Sequence, residues 1–257
     1  MSAAISTTLT RGKFGLPLKP PVAPSSDGAG EVLQIGSSVT SFKPGDEIVT
    51  HLTVDQDEDE LATFAHIAAG LGQGVHRTLR KYAFFHESSL VKMPRTLWFR
   101  EAATLACSGL TAENALFGPG LASTRAREAE KALEGKYLLV RGSGGNPKLG
   151  EVAKSLIPNS REFDIVLDVG GHSTVLQSVK VVTTDGLVAL TGLLGASDNA
   201  QIPSIVDGLI YLYMTRGFLL GMREQFKEMN AITEKGIKPV VDDRVFGFAE
   251  VKEVMSI

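Results

Sequence analysis

The residues best suited to chemistry by type and spacing form a glycine cluster after an apolar run. The run 137–140 ends at Arg141, which is followed by Gly142, Ser143, Gly144 and Gly145. This order predicts a buried parallel strand that runs into a tight turn. Glycines in such a turn let the main chain approach a pyrophosphate, and the next helix would point its free N–H groups at the phosphate.

The turn lacks one part of the dinucleotide-binding fingerprint. Pro147 stands where the third glycine of that fingerprint is expected. On these residues alone, an ordinary glycine turn after a strand is an open alternative. The remainder of the chain favours the functional interpretation.

Strands and helices alternate after this turn. Apolar runs that contain or end in glycine occupy 163–171, 186–192 and 216–221, and segments of helical spacing occupy 149–156, 174–182 and 202–213. Such alternation is typical of an α/β fold with a doubly wound parallel sheet. Ligands of these sheets bind at the carboxyl ends of the strands, which is where the glycines fall.

The first part of the chain has a different pattern. Two short strand patterns at 28–36 and 41–49 indicate a small β domain, and helical spacing follows over 96–117. These patterns predict a small β domain in the first part of the chain and an α/β domain after it.

Composition restricts the possible binding partners and the cellular location. The net charge of -3 gives no basic surface for nucleic acid, and no apolar run is long enough to span a membrane. The single cysteine, Cys107, excludes a disulfide framework and a zinc site of several cysteines. We expect a cytoplasmic protein with a small-molecule substrate and without nucleic-acid or membrane partners.

Two further groups of residues could bind a metal by type. The acidic run 55–60 offers hard oxygen ligands, but it lacks the glycine and alternating spacing of a calcium loop, so a solvated loop is predicted. The other group is four histidines, which do not have the spacing of metal ligands. They are predicted to be surface residues or hydrogen-bonded core residues, and they are His51, His66, His76 and His86.

Four stretches together resemble the medium-chain dehydrogenase/reductase superfamily. They are 26–32 (SDGAGEV), 105–116 (LACSGLTAENAL), 137–145 and 216–229. Within the superfamily, the chain is similar to the zinc-independent, quinone-oxidoreductase-like alcohol dehydrogenases. The resemblance implies a partial GroES-like β domain, the catalytic domain, over 1–118 and a shortened Rossmann nucleotide-binding domain over 119–236. It also implies a C-terminal segment over 237–257 that returns to the catalytic domain. It also implies hydride transfer between NAD or NADP and a small carbonyl, alcohol or activated alkene, with secondary metabolism as one setting.

The resemblance further implies which residues contact the cofactor. The turn of Gly142, Ser143, Gly144 and Gly145 would hold the pyrophosphate. The residues expected near the nicotinamide half are Thr111, Gly170, Gly192, Leu193, Leu219 and Gly221. No catalytic acid or base is implied, because the usual relay of the family falls in a region that has no counterpart in this chain.

The resemblance argues against a catalytic zinc. Zinc members carry a His-Glu pair where this chain has Ser26 and Asp27, and Cys107 alone occupies a ligand position. A catalytic zinc needs three protein ligands. Cys107 is therefore predicted to be a buried helix residue.

The largest departure from the family lies inside the nucleotide-binding domain. Seventeen residues separate Gly145 from Phe163, where the family has two further strands with their helices. Removing strands 2 and 3 from the order 3-2-1-4-5-6 leaves 1-4-5-6, which remain neighbours joined by one crossover helix. The lost strands hold the adenosine ribose, so we predict a shortened doubly wound sheet that binds NAD or NADP weakly.

Two alternatives stay open. Asp168 could end the second strand of a compressed strand–helix–strand unit and bind a ribose hydroxyl, whereas by resemblance it is structural. The chain could also be a non-catalytic remnant retained for binding or dimerisation. An exposed edge on the first strand would then favour association, and a homodimer is one assembly that it allows.

Overall fold

The chain folds into two compact units. The computed structural model describes residues 25–72, 74–75, 78–118, 133–142, 149–192 and 201–254. Contacts assign residues 1–119 and 219–257 to the first unit and residues 120–218 to the second.

The first unit contains a three-stranded antiparallel sheet. The strands β1 (Ala29–Glu31), β2 (Glu47–Thr50) and β3 (Leu90–Lys92) lie side by side in that order. Helix α1 (Phe64–Ala69) follows β2, and a short 3₁₀ turn, Glu87–Ser89, leads into β3. This small antiparallel sheet is the predicted β domain.

A bent helical segment follows β3. It consists of α2 (Phe99–Thr104), a π-helical turn (Leu105–Gly109) and α3 (Leu110–Phe117). Helix α2 begins where Glu101 Oε2 accepts a hydrogen bond of 2.7 Å from the Trp98 N–H. The helix predicted over 96–117 is thus interrupted by a π-helical turn, a feature that often marks a functional site.

The second unit is built on a four-stranded parallel sheet. Its strands are β4 (Leu138–Arg141), β5 (Phe163–Asp168), β6 (Val182–Leu190) and β7 (Met214–Gly217), in the spatial order β4-β5-β6-β7. The helices between them are α4 (Leu149–Ser155), α5 (Val175–Val179) and α6 (Asp207–Tyr211). Short 3₁₀ turns occupy Pro158–Ser160 and Gly171–Ser173. The predicted α/β fold and its 1-4-5-6 strand order are confirmed.

The three crossover helices share one face of this sheet. Val166 of β5 and Val188 of β6 are fully buried, and the core around them includes Ala153 of α4, Val179 of α5 and Tyr211 of α6. The four strands follow one another across the sheet in chain order. Because each crossover is right-handed, each one places its helix on the same face of the sheet.

Two parts of the second unit expose apolar side chains. On β4, at one end of the sheet, Leu138 and Val140 are 41% and 60% exposed. Seven large apolar residues that lead into and form α6 and β7 are more than half exposed, namely Ile202, Ile205, Val206, Leu209, Ile210, Leu212 and Met214. Fully parallel sheets are normally buried, so both surfaces are unusual.

The chain returns to the first unit earlier than the sequence predicts. The prediction extends the nucleotide-binding domain to residue 236, whereas residues from Leu219 onward group with the first unit. Helix α7 (Arg223–Thr233) packs against α3 and places Phe226 and Met229 in the core of the first unit with Val49. A 3₁₀ turn, Phe248–Glu250, and helix α8 (Val251–Val254) follow.

Candidate functional site

The carboxyl ends of the parallel strands bring three predicted glycines to one edge of the sheet. Arg141, Asp168 and Leu190 lie in register on β4, β5 and β6. Gly142, Gly170 and Gly192 follow these residues at once or after one intervening residue. This is the edge at which ligands of such sheets bind.

Gly142 and Gly192 differ in how much space surrounds them. The space beside the Gly142 Cα is open, so the main chain there is accessible at close range. A Cβ at Gly192 would overlap the carbonyl group of Val169, so only glycine fits this close approach of two loops. Ser143, Gly144, Gly145 and Leu193 lie outside the described residues and stay predictions.

Asp168 is a fully buried carboxylate at the end of β5, with 0% exposure. Its Oδ1 accepts hydrogen bonds from the N–H groups of Gly170 (3.0 Å) and Gly171 (2.9 Å) and from Thr174 Oγ1 (2.5 Å). Its Oδ2 accepts a hydrogen bond of 2.5 Å from Ser178 Oγ. The carboxylate therefore fixes the turn into α5.

Arg141 on the neighbouring strand is equally buried. Its Nη2 donates to Gln177 Oε1 (2.7 Å) and its Nη1 donates to the Thr174 carbonyl (3.3 Å). Burial lowers the pKa of the Arg141 guanidinium, and the charge of Asp168 opposes that change. Both Asp168 oxygens are used within the protein, which supports the structural role and disfavours the alternative in which this residue binds a ribose.

The other predicted cofactor residues that are described, Thr111, Leu219 and Gly221, belong to the first unit. Thr111 lies on α3 beside Leu110, and the Leu110 side chain packs so closely on Gly221 that a Cβ there would lie 2.6 Å from Leu110 Cδ1. Leu219 and Gly221 are on the turn after β7, not on a strand as the pattern 216–221 predicts. The strand ends at Gly217 because the chain then enters the first unit.

This turn is strained and held by two buried side chains. Leu220, only 5% exposed, has a left-handed backbone with a φ of 61°, which costs an L-residue roughly 1–2 kcal/mol. Asn114 Nδ2 on α3 donates to the Leu220 carbonyl. His51, just after β2, places Nε2 3.0 Å from the Gly221 carbonyl oxygen. We name these two side chains and the turn Leu219–Gly221 the clamped turn.

Sequence reasoning leaves His51 as either a surface or a hydrogen-bonded core histidine, and the structure shows the second. It assigns no role to Asn114. The sequence signal that could have identified Asn114 is a side-chain amide near apolar residues of α3. Two of these residues, Leu110 and Ala115, are fully buried. Buried amides need hydrogen-bond partners, and an interior asparagine therefore indicates a main-chain group to be held.

At the positions of the zinc ligands in zinc-dependent members, this chain has Ser26, Asp27 and Cys107. Ser26 Oγ donates a 2.7 Å hydrogen bond to Asp27 Oδ1, and burial raises the pKa of Asp27 above its ordinary value. Burial raises the pKa of the Cys107 thiol to about 12, and the negative charge of Asp27 adds to the rise. Cys107 lies in the π-helical turn and its side chain is half-buried, so the predicted buried helix residue is only partly covered.

Among the described residues, no three His, Cys, Asp or Glu side chains lie close enough to hold a metal ion. The acidic run 55–60 has protein partners instead. Glu58 pairs with Lys227 and lies 4.0 Å from Arg223 Nε, both on α7, and Asp55 lies 3.3 Å from His86 Nε2. The acidic run therefore contacts α7 and is also exposed to solvent in part.

Comparison with known proteins places the chain in a family. The model of the alcohol dehydrogenase GroES-like domain matches residues 4–95. A zinc-type alcohol dehydrogenase-like protein of Schizosaccharomyces pombe is 30% identical over 290 aligned positions, which cover 95% of this chain and 81% of the relative. The chain belongs to the medium-chain dehydrogenase/reductase superfamily.

Other members extend this assignment. An NADPH-dependent alkenal/one oxidoreductase of Arabidopsis thaliana, named as chloroplastic, is 26% identical over 96% of this chain and 63% of its own length. A cobalt- and zinc-bound alcohol dehydrogenase of Pyrobaculum aerophilum has the same fold, with a TM-score of 0.74 at 20% identity over 98% of this chain and 83% of its own. By its superfamily, the chain is an NAD(P)-dependent oxidoreductase. Within the described ranges, no helix is both long and apolar enough to cross a membrane.

Proposed function

We propose that the chain is a zinc-independent reductase that uses NADH or NADPH to reduce a small carbonyl compound or activated alkene, or runs the reverse oxidation of an alcohol. The observation that carries the proposal is the retained carboxyl edge of the parallel sheet, where Gly142, Gly170 and Gly192 follow three adjacent strands. The Arabidopsis relative, whose name specifies alkenal and enone reduction, supports this substrate class.

The residues proposed to contact the cofactor are those implied by the sequence, namely Thr111, Gly142, Ser143, Gly144, Gly145, Gly170, Gly192, Leu193, Leu219 and Gly221. Two features of the described residues fit a nicotinamide cofactor. In the second unit the main chain at Gly142 is open to close approach, and in the first unit the clamped turn packs against Leu110, the neighbour of Thr111 in sequence. When bound, NAD(P)H supplies the hydride, and the protein holds and orients it.

Zinc independence rests on the residues at the former ligand positions. Ser26 and Asp27 replace a His-Glu pair, and Cys107 stands alone at a third ligand position. The single cysteine also supports a cytoplasmic location, since reduced thiols are the norm there.

Deuterium transfer tests the proposed reaction. The purified protein is incubated with 4-deuterated NADH or NADPH and, separately, a short enal, a quinone or an aldehyde. For the enal we expect deuterium on the β-carbon of the saturated product, a proton from water on the α-carbon and an equal amount of oxidised cofactor. Transfer should be unchanged after treatment with a strong zinc chelator. Loss of transfer with the chelator would contradict zinc independence, and absence of transfer to every substrate would contradict the reductase assignment.

We also propose that the chain forms a homodimer through the apolar surface that includes α6. Ile205 and Leu209 on this surface are 95% and 78% exposed. Clustered exposed apolar side chains of this kind mark interaction sites on soluble proteins.

The variant Leu209→Glu should weaken this dimer at least about tenfold, because it would bury a charge in an apolar contact. Sedimentation velocity over a concentration series measures the change. Val240→Glu is the matched control, since Val240 is fully exposed and belongs to the first unit, whereas the proposed surface belongs to the second; it should leave the dimer unaffected. A monomeric wild type, or equal effects of both variants, would contradict the proposed interface.

A further inference from the structure

An open groove of about 860 Å³ lies in the first unit. Its lining comes mainly from the loop 55–58, the segment 86–94 that includes β3, and helix α7. Small-molecule sites in proteins have volumes of about 300–1,000 Å³. None of the described residues proposed to contact the cofactor lines this groove, so the cofactor does not account for it.

Two buried amide side chains, Gln56 and Asn230, line the groove. They are 7% and 6% exposed. Gln56 Nε2 donates a 3.0 Å hydrogen bond to the Glu60 carbonyl, and Asn230 Nδ2 donates a 2.9 Å hydrogen bond to the Lys92 carbonyl. Because a carbonyl oxygen only accepts, these contacts fix which end of each amide is the nitrogen and which is the oxygen.

The oxygen of each amide lacks a donor. Across the part of the chain that the structure describes, neither Gln56 Oε1 nor Asn230 Oδ1 accepts a hydrogen bond, although both atoms are buried. Buried polar atoms without a partner are rare, and each one calls for an explanation. Two such acceptors in the lining of one groove indicate a ligand that brings hydrogen-bond donors.

The charges along the groove favour a cationic ligand. Its described lining contains five carboxylates and three permanently charged cations, in addition to His86. Glu58 pairs with Lys227, and Lys92 lies 3.8 Å from Asp46, which is not part of the lining. The carboxylates are Asp55, Asp57, Glu58, Glu87 and Glu234, and the cations are Lys92, Arg223 and Lys227.

Three of these carboxylates keep their charge uncompensated. Among the residues with described positions, no Lys or Arg forms an ion pair with Asp57, Glu87 or Glu234. Glu234 accepts a 3.2 Å hydrogen bond from the Arg95 N–H, which is a neutral donor. A groove lined by charges of one sign raises the local concentration of ligands of the opposite sign.

The carboxyl end of α7 adds to this preference. Asn230, Ala231 and Glu234, from the last turn of this 11-residue helix and its C-cap, belong to the groove lining. The C-terminus of a helix carries a partial negative charge, which stabilises cations nearby. The buried acceptors, the carboxylates and the helix end therefore all favour positively charged N–H donors.

We propose that the groove binds an aliphatic amine with two or more ammonium groups, whose N–H groups donate to Gln56 Oε1 and Asn230 Oδ1. More than one ammonium group is inferred because the carboxylates come from three separate segments of the lining. The proposal does not depend on the proposed reductase function, since a chain without hydride transfer could bind the same ligand.

Matched small molecules test the ligand class. Calorimetric titration of the purified chain at low ionic strength should give spermidine a dissociation constant below about 1 mM and 1,4-diaminobutane a weaker one. 1,4-Butanediol has the same length and O–H donors but no charge, and it should bind at least about tenfold more weakly than the diamine. Raising the salt from about 50 to 200 mM should weaken spermidine binding severalfold.

Two variants test the buried acceptors. Gln56→Met and Asn230→Leu keep most of the side-chain volume and should each weaken spermidine binding about tenfold. Gln225→Met is the matched control, because Gln225 is a buried amide of α7 that bonds to the Met222 N–H at 2.9 Å and does not line the groove. It should bind spermidine within about twofold of wild type.

An exposed pair of variants keeps the test decisive if the buried variants fail to fold. Glu234→Gln should weaken spermidine binding about threefold or more, whereas Glu224→Gln, on α7 outside the groove lining, should leave it within about twofold. Equal affinities of these two variants, equal binding of the diol and the diamine, or no binding of spermidine to wild type at about 5 mM would each overturn the proposal.

Discussion

Reduced nicotinamide mononucleotide should bind this chain about as tightly as NADPH and NADH do, with all three dissociation constants above roughly 100 μM. The reason is the position of β4 at the end of the sheet. Only residues 142–162 connect β4 to β5, and α4 and a 3₁₀ turn occupy much of that length. No room remains for the two strands that hold the adenosine half of the cofactor in the family.

The comparison with the fission-yeast relative supports the shortening. Since 95% of this 257-residue chain is about 244 residues, about 46 of the 290 aligned positions have a residue in the relative and none here. Two or three lost hydrogen bonds to the ribose or its phosphate are worth roughly 1–3 kcal/mol each, which amounts to at least a tenfold loss of affinity.

Calorimetric or fluorescence titration with the three ligands measures this effect. The Arabidopsis NADPH-dependent relative serves as the comparison enzyme, in which NADPH should bind far more tightly than the mononucleotide. Micromolar binding of NADPH to the present chain, with clear preference over the mononucleotide, would show that an adenosine site has been retained and would contradict the prediction.

Replacing Asp168 should destabilise the second unit more than any other single polar substitution we consider. Asp168→Ala removes the acceptor of four hydrogen bonds and leaves Arg141 buried without its neighbouring charge. Breaking a buried charged network in this way costs about 3–5 kcal/mol. Asp168→Asn, which keeps the shape, should cost less.

Urea unfolding followed by circular dichroism measures the loss. Glu162→Ala is the control, because Glu162 flanks the other end of β5 and makes a partly exposed ion pair of 2.9 Å with Lys154, worth about 0–1 kcal/mol. If Asp168→Ala unfolds like wild type but loses NADH binding, then Asp168 serves a ribose and the structural assignment is wrong.

The order of the parallel strands could be predicted because local patterns identify the strands and the family resemblance supplies their order. Strand patterns that end near glycine mark each strand, and the length of each connection limits where the next strand can lie. The seventeen residues between Gly145 and Phe163 allow one helix, and α4 is that helix. Removing strands 2 and 3 from the family order then leaves the observed order β4-β5-β6-β7.

The clamped turn and the unit boundary could not be predicted in the same way. Both depend on contacts between residues far apart in sequence, such as Asn114 with Leu220 and His51 with Gly221. The apolar pattern at 216–221 is equally suitable for a strand, and only the packing of Leu220 and Phe226 into the core of the first unit ends β7 at Gly217. Tertiary packing here overrides local pattern.

The parallel sheet has two ends, and apolar side chains are exposed at both. Val140 lies at the β4 end, and Met214 lies at the β7 end beside the surface around α6. A molecule with two different self-pairing surfaces forms a closed particle only if the two twofold axes intersect, and otherwise it adds copies without limit. If the β4 edge pairs with its own copy as the α6 surface is proposed to do, we expect linear polymers at high protein concentration, which sedimentation velocity would detect and a charge placed at one end would prevent.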